Sequence, residues 1–579
     1  MNESRPAIQH SAAHFFLEGL TELGLDYLFC NLGTDHVPLI EEMARWRDTG
    51  RAFPRPILCP HESIAVHMAA GYAAMTGRGQ GVFVHVDAGT ANSAMALHNL
   101  FRGRTPALVM AGRAPFTVHG ELAGTRDNYV HFLQDPFDQA SLVRPYVKWE
   151  YTLPSGAVAK EALRRAHSVM HSDPQGPVYM MLPREVLTAQ WGEDAIEGFA
   201  EKDFGSVRAA GADPELIGAL AERLLAARDP VLVTAYAGRN PAAPAALEAL
   251  ARLAGIRVFE YSPTHLNIAH DSPCFAGFQP GEAVSRADLG LLVDVDVPWM
   301  PRETRPAPDS FWAQIDVDAI KQDFPMWGFG ARLRIQGDST RILVQLTEAL
   351  RARASPEFLS SSAKRIEAMA REHAAREARS AKLAAARGRS GAIDVHFLCA
   401  ELGRVLDPED VVVNEAIRNT PAVLAQIPRN RPLSLIGRSG GGGLGWSGGT
   451  ALGVKLARPR ATVVQICGDG SFYLGAPEAV LATARQYALP ILTVVLDNAG
   501  WAAVKDATLA VYPEGRARTS DEFQARLAPD MDFAKLAESA AAYGERVSEP
   551  DALRGALERC LAAVRAGRSA VLHAQVTPL

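Results

Sequence analysis

One recurring pattern constrains the fold of this 579-residue chain more than any other feature. A short apolar run is followed by a turn rich in Gly, Asp or Asn, and then by a stretch with helical spacing. The first such run is Asp26–Cys30, and similar runs near the other end of the chain are Thr462–Cys467 and Ile491–Leu496. Repeated strand–helix units predict parallel sheets covered by helices on both faces. We therefore predict an α/β protein of doubly wound domains, with its functional residues at the carboxyl ends of the strands.

The length of the chain predicts several domains, because one hydrophobic core does not grow to this size. Residues 191–213 are rich in Gly, Glu and Asp, and residues 350–388 shift to Ala, Arg, Glu and Lys, which is typical of a solvated helix. We predict three α/β domains and one helical connector, which occupy residues 1–190, 205–350, 351–390 (the connector) and 391–579. The first and last domains share the same pattern, which suggests a duplication.

Composition argues against a nucleic-acid-binding, a membrane-spanning or a secreted protein. The net charge of −6 argues against a nucleic-acid partner, which would require clustered Lys and Arg. No apolar run reaches the roughly 18–20 residues that cross a bilayer, and the N-terminus does not resemble a signal peptide. The six cysteines form no C-x-x-C pair, so we interpret them as small core residues rather than zinc ligands or disulfides. We expect a cytoplasmic protein without a membrane partner.

The strongest motif lies at residues 462–501, where two buried strands end in Gly468-Asp469-Gly470 and in Asp497-Asn498-Ala499-Gly500. In a parallel sheet both ends emerge at the same edge, so Asp469 and Asn498 are expected to converge. With the carbonyl of Gly500 they supply the hard oxygen ligands that Mg²⁺ prefers. The backbone around Gly468, Gly470 and Ser471 can approach a diphosphate, and a helix is expected to begin near Ala476. The alternative is that the two segments are only tight turns.

Two further segments accompany this motif. PILCPHESIAVHMAAGYAAMTGR (residues 56–78) places Glu62 after a short strand, and GRSGGGGLGWSGGTALGVKLARP (residues 437–459) contains four consecutive glycines. Together the three segments resemble the thiamine-diphosphate enzyme superfamily, in its acetolactate synthase and benzoylformate decarboxylase branch. The chain departs from the signature of that family in two ways. Asp497 replaces the first Asn of its Asn-Asn pair, and the spacing from GDG is long, with the extra residues expected around Tyr473–Pro477.

The resemblance implies the cofactors and the residues that hold them. Thiamine diphosphate and Mg²⁺ are expected, with Asp469, Asn498 and Gly500 as metal ligands. Glu62 corresponds to the carboxyl group that contacts the aminopyrimidine and promotes loss of the C2 proton. The other residues expected at the cofactor are Gly442, Gly443, Leu444, Gly468, Gly470, Ser471 and Arg418. Ile417 and Arg418 correspond to the positions that contact the diphosphate in the family. FAD in the central domain stays undecided.

The substrate pocket carries mixed signals. Thr34 aligns with a substrate-facing Ser of benzoylformate decarboxylase, beside Asp35 and His36, and His85 aligns with its catalytic histidine. His85 falls in the predicted strand Gly81–Val86, ahead of a helical stretch predicted at Ala91–Leu100. Gln134 and Lys148 instead resemble active-site residues of acetolactate synthases, and Trp501 and Lys505 are expected to wall the pocket. We predict His85, His36 and Gln134 as catalytic candidates beside Glu62; for each histidine, the alternative is a core or surface residue.

The resemblance leaves three readings of function open. The first is an acetolactate-synthase-like enzyme that decarboxylates a small 2-oxo acid and ligates the product to a second carbonyl compound through a C2 ylide and an enamine. The second is a non-oxidative 2-oxo acid decarboxylase or C–C lyase, favoured by Leu444 and His85. The third is a non-catalytic nucleotide-binding protein. The family also implies a homodimer or homotetramer whose subunits share their active sites.

Overall fold

The computed structural model of the chain describes residues 9–198, 200–528 and 530–578, so the first eight residues of the predicted first domain lie outside it. The described residues form three six-stranded sheets in which every strand pair is parallel. Two short antiparallel pairs join Gln9–Ser11 to Gln190–Gly192 and Gly388–Arg389 to Ala392–Ile393. The prediction of an α/β protein with three parallel sheets is confirmed.

The first sheet has the strand order β2-β1-β3-β4-β6-β5. Its strands are β1 (Tyr27–Cys30), β2 (Arg55–Leu58), β3 (Gln80–Val84), β4 (Ala107–Arg113), β5 (Glu150–Thr152) and β6 (Pro177–Pro183). Its helices are α1 (Ala12–Glu22), α2 (Val37–Asp48), α3 (Glu62–Thr76), α4 (Val86–Arg102), α5 (Val130–Leu133), α6 (Ala159–His171) and α7 (Arg184–Thr188). Phe16, Leu20 and Leu163 on α1 and α6 pack on one face of this sheet, which buries the apolar stripes that their helical spacing creates.

The second sheet has the order β9-β8-β7-β10-β11-β12. Its strands are β7 (Pro230–Thr234), β8 (Arg257–Glu260), β9 (Phe275–Gly277), β10 (Leu289–Val293), β11 (Phe311–Asp316) and β12 (Leu333–Gln336). Its helices are α8 (Pro214–Ala226), α9 (Ala243–Ala254), α10 (Gly281–Arg286) and α11 (Ser339–Arg353), followed by the 29-residue α12 (Pro356–Ala384). The chain reverses direction across the sheet between β7 and β10, and such a switch point opens a crevice at the carboxyl ends of the strands.

The third sheet has the order β14-β13-β15-β16-β18-β17. Its strands are β13 (Val411–Glu415), β14 (Leu435–Ile436), β15 (Val463–Gly468), β16 (Leu492–Asp497), β17 (Tyr543–Val547) and β18 (Ala570–Gln575). The remaining helices are α13 (Val395–Val405), α14 (Thr420–Gln426), α15 (Ser447–Ala457), α16 (Asp469–Leu474), α17 (Pro477–Tyr487), α18 (Ala502–Val511), α19 (Arg516–Ser520), α20 (Phe533–Ser539) and α21 (Leu553–Arg565). Numbered from its own first strand, this sheet repeats the order of the first sheet, which agrees with the suggested duplication.

The chain divides into two compact units. One comprises Met1–Val207, Ser439–Arg460 and Tyr473–Pro490, and the other Arg208–Arg438, Ala461–Phe472 and Ile491–Leu579. In the first unit, α15 packs closely on α3, because glycines remove side chains from the contact. A Cβ atom added at Gly71 would lie 2.1 Å from the carbonyl O of Thr450, and one at Gly453 would lie 2.1 Å from that of Met68. The glycines of this stretch therefore bring two helices together.

The described residues bear on two expectations from the sequence, which concern the cysteines and membrane-spanning segments. All six cysteines are buried and free, as expected for small core residues. Across residues 9–198, 200–528 and 530–578, no helix combines the length and the apolar content needed to cross a bilayer.

Candidate active site

Asp469 and Asn498 lie at the tips of two neighbouring strands of the third sheet. Gly468 ends β15, where it pairs with Leu496 near the end of β16, so both chains leave the sheet at the same edge. Asp469 and Asn498 follow directly and are buried. The structure therefore brings together the two side chains that the sequence motif predicted, although 28 residues lie between them.

Three oxygen atoms converge at this edge. One end of the Asn498 carboxamide lies 3.1 Å from Asp469 Oδ1 and 2.8 Å from the carbonyl O of Gly500. Oxygens this close repel one another unless the amide turns its NH₂ toward them or a cation lies among them. A carboxylate, an amide oxygen and a carbonyl are the donors that suit Mg²⁺. No cluster of three or more His, Cys, Asp or Glu suited to a metal occurs elsewhere in the described part of the chain.

The charge on Asp469 is poorly compensated by the protein alone. Burial, followed by the nearby carboxylate of Asp497, raises the pKa of Asp469 to about 7, even though its carboxyl accepts backbone N–H groups of Gly470 and Gly500. A divalent cation is the usual remedy for such a buried carboxylate, because its charge favours the ionised form. The residues present therefore fit a magnesium ion.

Asp497, which departs from the family signature, has its own partner. Its Oδ2 atom lies 2.7 Å from Nε2 of the buried His573 on β18, and its Oδ1 accepts the Ala499 N–H at 2.9 Å. Burial would raise the pKa of Asp497, but the hydrogen bond from His573 outweighs that effect and lowers it. The pair accounts for an acidic residue at this position.

The turn after Asp469 differs from the prediction. The helix expected to begin near Ala476 is present as α17, which begins at Pro477 after Ala476 at a φ of 46°. The segment Asp469–Leu474, which was expected to be a turn and a loop, forms the additional helix α16. Gly470 and Ser471 therefore belong to the first turn of a helix. A Cβ atom at Gly470 would lie 2.3 Å from Nε1 of Trp501, so the indole of Trp501 covers this turn. The long spacing of the motif is accommodated by two short helices rather than by an open loop.

The residues expected on the diphosphate side lie at the end of β13. Ile417 has a φ of 48°, which is unusual for a β-branched residue and marks a locally strained backbone. Arg418 pairs with Asp506 on α18, with Nε and Oδ2 at 2.9 Å, and both side chains are about half exposed. Lys505, a predicted pocket residue, lies 3.3 Å from Asp521 Oδ1.

Glu62 is the first residue of α3 and is buried at the end of β2. Its Oε2 accepts a hydrogen bond from Asn92 Nδ2 at 3.1 Å, and a Cβ atom at Gly89 would lie 3.2 Å from its Oε1. Asn92 and Gly89 stand one helical turn apart on α4 and present one face to the carboxyl. Neither was recognised from the sequence, where their i, i+3 spacing was the available signal.

His85 lies between two acceptors. Its Nδ1 is 2.6 Å from Asp35 Oδ1, and its Nε2 is 3.0 Å from Gln134 Oε1. The hydrogen bond to Asp35 raises the pKa of His85, against the opposing effect of burial. The predicted strand through Val86 and helix from Ala91 are corrected here: β3 ends at Val84 and α4 begins at Val86, so His85 stands at the helix N-terminus.

The other candidates in this region have different surroundings. His36 is fully buried with its ring 5.4 Å from that of Phe83, its Nδ1 accepts the Gly33 N–H at 3.2 Å, and its Nε2 has no partner among the described residues. Lys148 donates to the carbonyls of Val169 and Ser172, at 2.6 Å each, and so closes the end of α6. These contacts give Lys148 a structural role, whereas His85 keeps an exposed edge.

The glycine-rich segment is fixed by a side chain of α4. Asn99 Oδ1 accepts the N–H of Gly443 at 3.0 Å, and its Nδ2 donates to the carbonyl of the same residue at 3.2 Å. Gly442 and Gly445 have φ values of 78° and 81°, which disfavour residues with a side chain. Leu444 lies partly exposed between these turns, so the segment presents it on a defined backbone.

The predicted site residues thus form two groups, each within one compact unit. One contains Gly468, Asp469, Gly470, Ser471, Asn498, Gly500 and Arg418. The other contains Glu62, His85, His36, Gln134, Gly442, Gly443 and Leu444. Asp35, Asn92, Asn99 and Gly112 were not predicted as site residues, because their roles depend on contacts between strands and helices that are distant in sequence.

Comparisons with known proteins find similarity near both ends of the chain. Two family models match: the N-terminal TPP binding domain of thiamine pyrophosphate enzymes over residues 10–142, and the C-terminal TPP binding domain over residues 419–574. Benzoylformate decarboxylase of Pseudomonas aeruginosa is 27% identical over 573 residues, with 96% of this chain and 97% of the relative covered. Acetolactate synthase isozyme 3 large subunit of Escherichia coli is 26% identical over 532 residues, covering 88% and 86%. The solved 4-hydroxybenzoylformate decarboxylase of Rhodococcus jostii shares the fold, with a TM-score of 0.77, 21% identity and coverage of 98% and 99%.

Proposed function

Because the chain belongs to the thiamine pyrophosphate enzyme family, we propose that it uses thiamine diphosphate and Mg²⁺ to cleave the bond beside the carbonyl of a 2-oxo acid. The observation that carries this proposal is that the carboxylate of Asp469, the carboxamide of Asn498 and the carbonyl of Gly500 lie together at two strand tips. The proposal gives these oxygens a common partner, a magnesium ion that also binds the diphosphate.

The residues of the chain have separate tasks in this proposal. When bound, thiamine diphosphate supplies a nucleophilic carbon and a sink for the electron pair of the breaking bond. Glu62 holds a proton at the aminopyrimidine, and Asn92 fixes its carboxyl for that exchange. Gly442, Gly443 and Leu444 support the cofactor from a backbone anchored by Asn99. Arg418 provides a charge on the diphosphate side.

The hydrogen bonds of His85 favour aldehyde release over ligation. Both atoms that face the ring, Asp35 Oδ1 and Gln134 Oε1, are acceptors, so the ring suits them best with a proton on each nitrogen. A histidine that holds a spare proton can protonate the substrate carbon that has lost CO₂. For this reason we propose decarboxylation as the first candidate, ahead of the acetolactate-synthase-like ligation that the sequence analysis puts first.

Ligation to a second carbonyl compound stays the second candidate, because Gln134 resembles the glutamine of acetolactate synthases and touches the same histidine. The two readings predict different products. We expect pyruvate, benzoylformate and related 2-oxo acids, tested as a panel with and without aldehyde acceptors, to give free aldehyde and CO₂ from at least one substrate. Acetolactate or another ligation product as the main product, measured by chromatography, would favour the second candidate.

A buried network of polar side chains lies at the switch point of the second sheet, where a dinucleotide such as FAD would be expected to bind. Tyr236 follows β7 at the switch point, and its hydroxyl lies 2.6 Å from Asp316 Oδ2 and 3.1 Å from Asp296 Oδ1. The fully buried Lys321 completes this network, with its Nζ 2.5 Å from the Tyr236 hydroxyl and 2.6 Å from Asp316. Dinucleotides bind at such a switch point through a glycine-rich first turn. Here the turn after β7 carries Tyr236 and a single glycine, Gly238, rather than a glycine-rich sequence.

We therefore expect the purified holoenzyme to contain no flavin. Its visible absorbance spectrum is expected to lack a flavin band, and added FAD is expected to leave turnover unchanged. A stoichiometric flavin that copurifies with the protein would contradict the proposed role of the Tyr236–Lys321 network and would strengthen the acetolactate-synthase-like reading.

We also propose that a second copy of the chain completes the active site. Large apolar side chains are exposed along residues 116–137: Phe116, Val118, Leu122, Tyr129, Phe132, Leu133 and Phe137. An apolar surface of this extent is typical of an interface with another protein. Gln134 lies within the segment, so a partner seated there would also close the space beside His85.

A further inference from the structure

The most unusual cluster outside the metal edge surrounds the carboxylate of Asp35. Asp35 is buried after β1 at the start of a 3₁₀ turn. Its Oδ1 lies 2.6 Å from His85 Nδ1, and its Oδ2 accepts the Val86 N–H at 3.2 Å. A buried carboxylate needs such partners, because it has lost the water that would solvate it. Asp35 therefore contacts both His85 and the first turn of α4.

Two glycines make room for this contact. A Cβ atom at Gly112, near the end of β4, would lie 1.6 Å from Asp35 Oδ2 and 2.4 Å from Asp35 Cβ. A Cβ atom at Gly33 would lie 1.9 Å from His85 Nδ1 and 2.5 Å from Asp35 Oδ1. Neither position has a φ in the left-handed region, so the backbone itself would admit another residue. The two positions are small because the Asp35–His85 pair fills the space beside them.

We propose that Asp35 is a positioning residue that holds Nδ1–H of His85, so that a second proton remains on Nε2 and is directed to the substrate carbon. This inference rests on the proposed function and deepens it. In the net reaction the bond to the carboxylate carbon breaks, CO₂ leaves, and a C–H bond forms with the proton from Nε2. His85 is left neutral and regains its proton from water. Gln134 accepts the Nε2 proton at 3.0 Å until the substrate takes its place.

The electrostatics agree with this geometry. Burial alone would raise the pKa of Asp35, but His36 and His85 outweigh it and hold the pKa far below its usual range. The carboxylate thus stays charged and raises the pKa of His85. The titratable or charged groups that face the pair from the neighbouring elements are His36, Glu62, Asp87, His131, Tyr179 and Arg184. Of these, Asp87 is the one that acts on His85 through charge without a hydrogen bond.

The test compares Asp35→Asn with Asp87→Asn as a matched control. His85 needs its proton for transfer, so aldehyde formation is lost as pH rises through the pKa of His85. Removal of the Asp35 charge lowers that pKa by about one to three pH units, and the alkaline limb of kcat is expected to move to lower pH by the same amount. Turnover is then compared at a pH above the pKa of His85 in both the unmodified protein and Asp35→Asn. There the protonated fraction of His85, and with it the turnover of Asp35→Asn, is expected to be about tenfold lower for each unit by which the substitution lowers the pKa of His85. Asp87→Asn is expected to move the limb much less.

A direct measurement does not depend on turnover. NMR of protein labelled in its histidine rings, with the His85 signal assigned by its loss in His85→Gln, is expected to show both ring nitrogens protonated above about pH 6.5. In Asp35→Asn the same signal is expected to titrate at lower pH. A His85 that titrates at or below the ordinary value in the unmodified protein, or an unmoved signal in a folded Asp35→Asn, would overturn the proposal.

Gly112→Ala supplies an independent variant if Asp35→Asn does not fold. Its added methyl group displaces the carboxylate without removing the charge, so it is expected to lower the pKa of His85 as well. An unchanged His85 titration in this variant would count against the proposal.

The proposed function and the proposed role of Asp35 can be refuted separately. A protein that decarboxylates 2-oxo acids but has an ordinary His85 refutes the role of Asp35 alone. A doubly protonated His85 in a protein that neither binds thiamine diphosphate nor turns over any 2-oxo acid refutes the proposed function.

Discussion

Glu62→Gln is expected to keep the fold and the affinity for thiamine diphosphate, while the C2 proton of the bound cofactor exchanges about 10²–10⁴ times more slowly. The amide matches the carboxyl in shape and can still contact Asn92 Nδ2 through its oxygen. It cannot take up or return the proton that the exchange requires. The rate is measured by NMR after the protein with bound cofactor is transferred to D₂O and quenched in acid.

The control for this variant is Glu161→Gln, which changes an exposed glutamate on α6. It is expected to exchange at the rate of the unmodified protein. An unchanged rate in Glu62→Gln would remove Glu62 from the role proposed for it. A loss of cofactor binding together with slow exchange would instead mean that the carboxyl is needed to hold the ring.

Asp469→Ala is expected to abolish Mg²⁺-dependent binding of thiamine diphosphate. The change removes the charged member of the oxygen cluster and leaves Asn498 and Gly500 as two neutral donors. Loss of one partner from a buried charged pair costs about 3–5 kcal/mol, so the Kd is expected to rise by at least about 100-fold. Calorimetry with and without Mg²⁺ measures this change, and Asp271→Asn, at an exposed position in the same compact unit, is the control.

Full Mg²⁺-dependent affinity in a folded Asp469→Ala would show that the strand tips do not form the metal site.

Glu62→Gln and Asp469→Ala, which are both expected to be inactive, also test whether the site is shared between subunits when the two variants are mixed. If Glu62 and Asp469 of different subunits meet in a symmetric dimer, then exchange of subunits between them is expected to restore about one quarter of the activity. Mixtures that stay inactive after exchange would mean that both residues act within one chain.

The metal edge was predictable from the sequence because parallel sheets bring strand ends together. Asp469 and Asn498 each follow an apolar run directly, so their positions do not depend on the conformation of the residues between them. The start of α16 at Asp469 was not predictable in this way. Glycines on both sides of Asp469 favour a turn by their own preferences, and packing in the third sheet overrides them.

The cluster around His85 could be predicted only in part. His85 was identified through its alignment, yet the predicted strand ended two residues too late, at Val86 instead of Val84, since Asp87 and Gly89 weaken the helical signal that begins at Val86. Its contact with Asp35 depends on β1 lying beside β3 in the sheet, which no local pattern encodes. The same is true of Gly112, whose lack of a side chain matters only because Asp35 lies against β4.

Crystallography of the protein with thiamine diphosphate and Mn²⁺ in place of Mg²⁺ tests the central claim most directly. We expect one anomalous peak within about 2.0–2.3 Å of Asp469, Asn498 and the carbonyl O of Gly500, with the carboxyl of Glu62 at hydrogen-bonding distance from the aminopyrimidine of that cofactor. A metal bound elsewhere, or a cofactor ring that no Glu62 reaches from either subunit, would contradict the account.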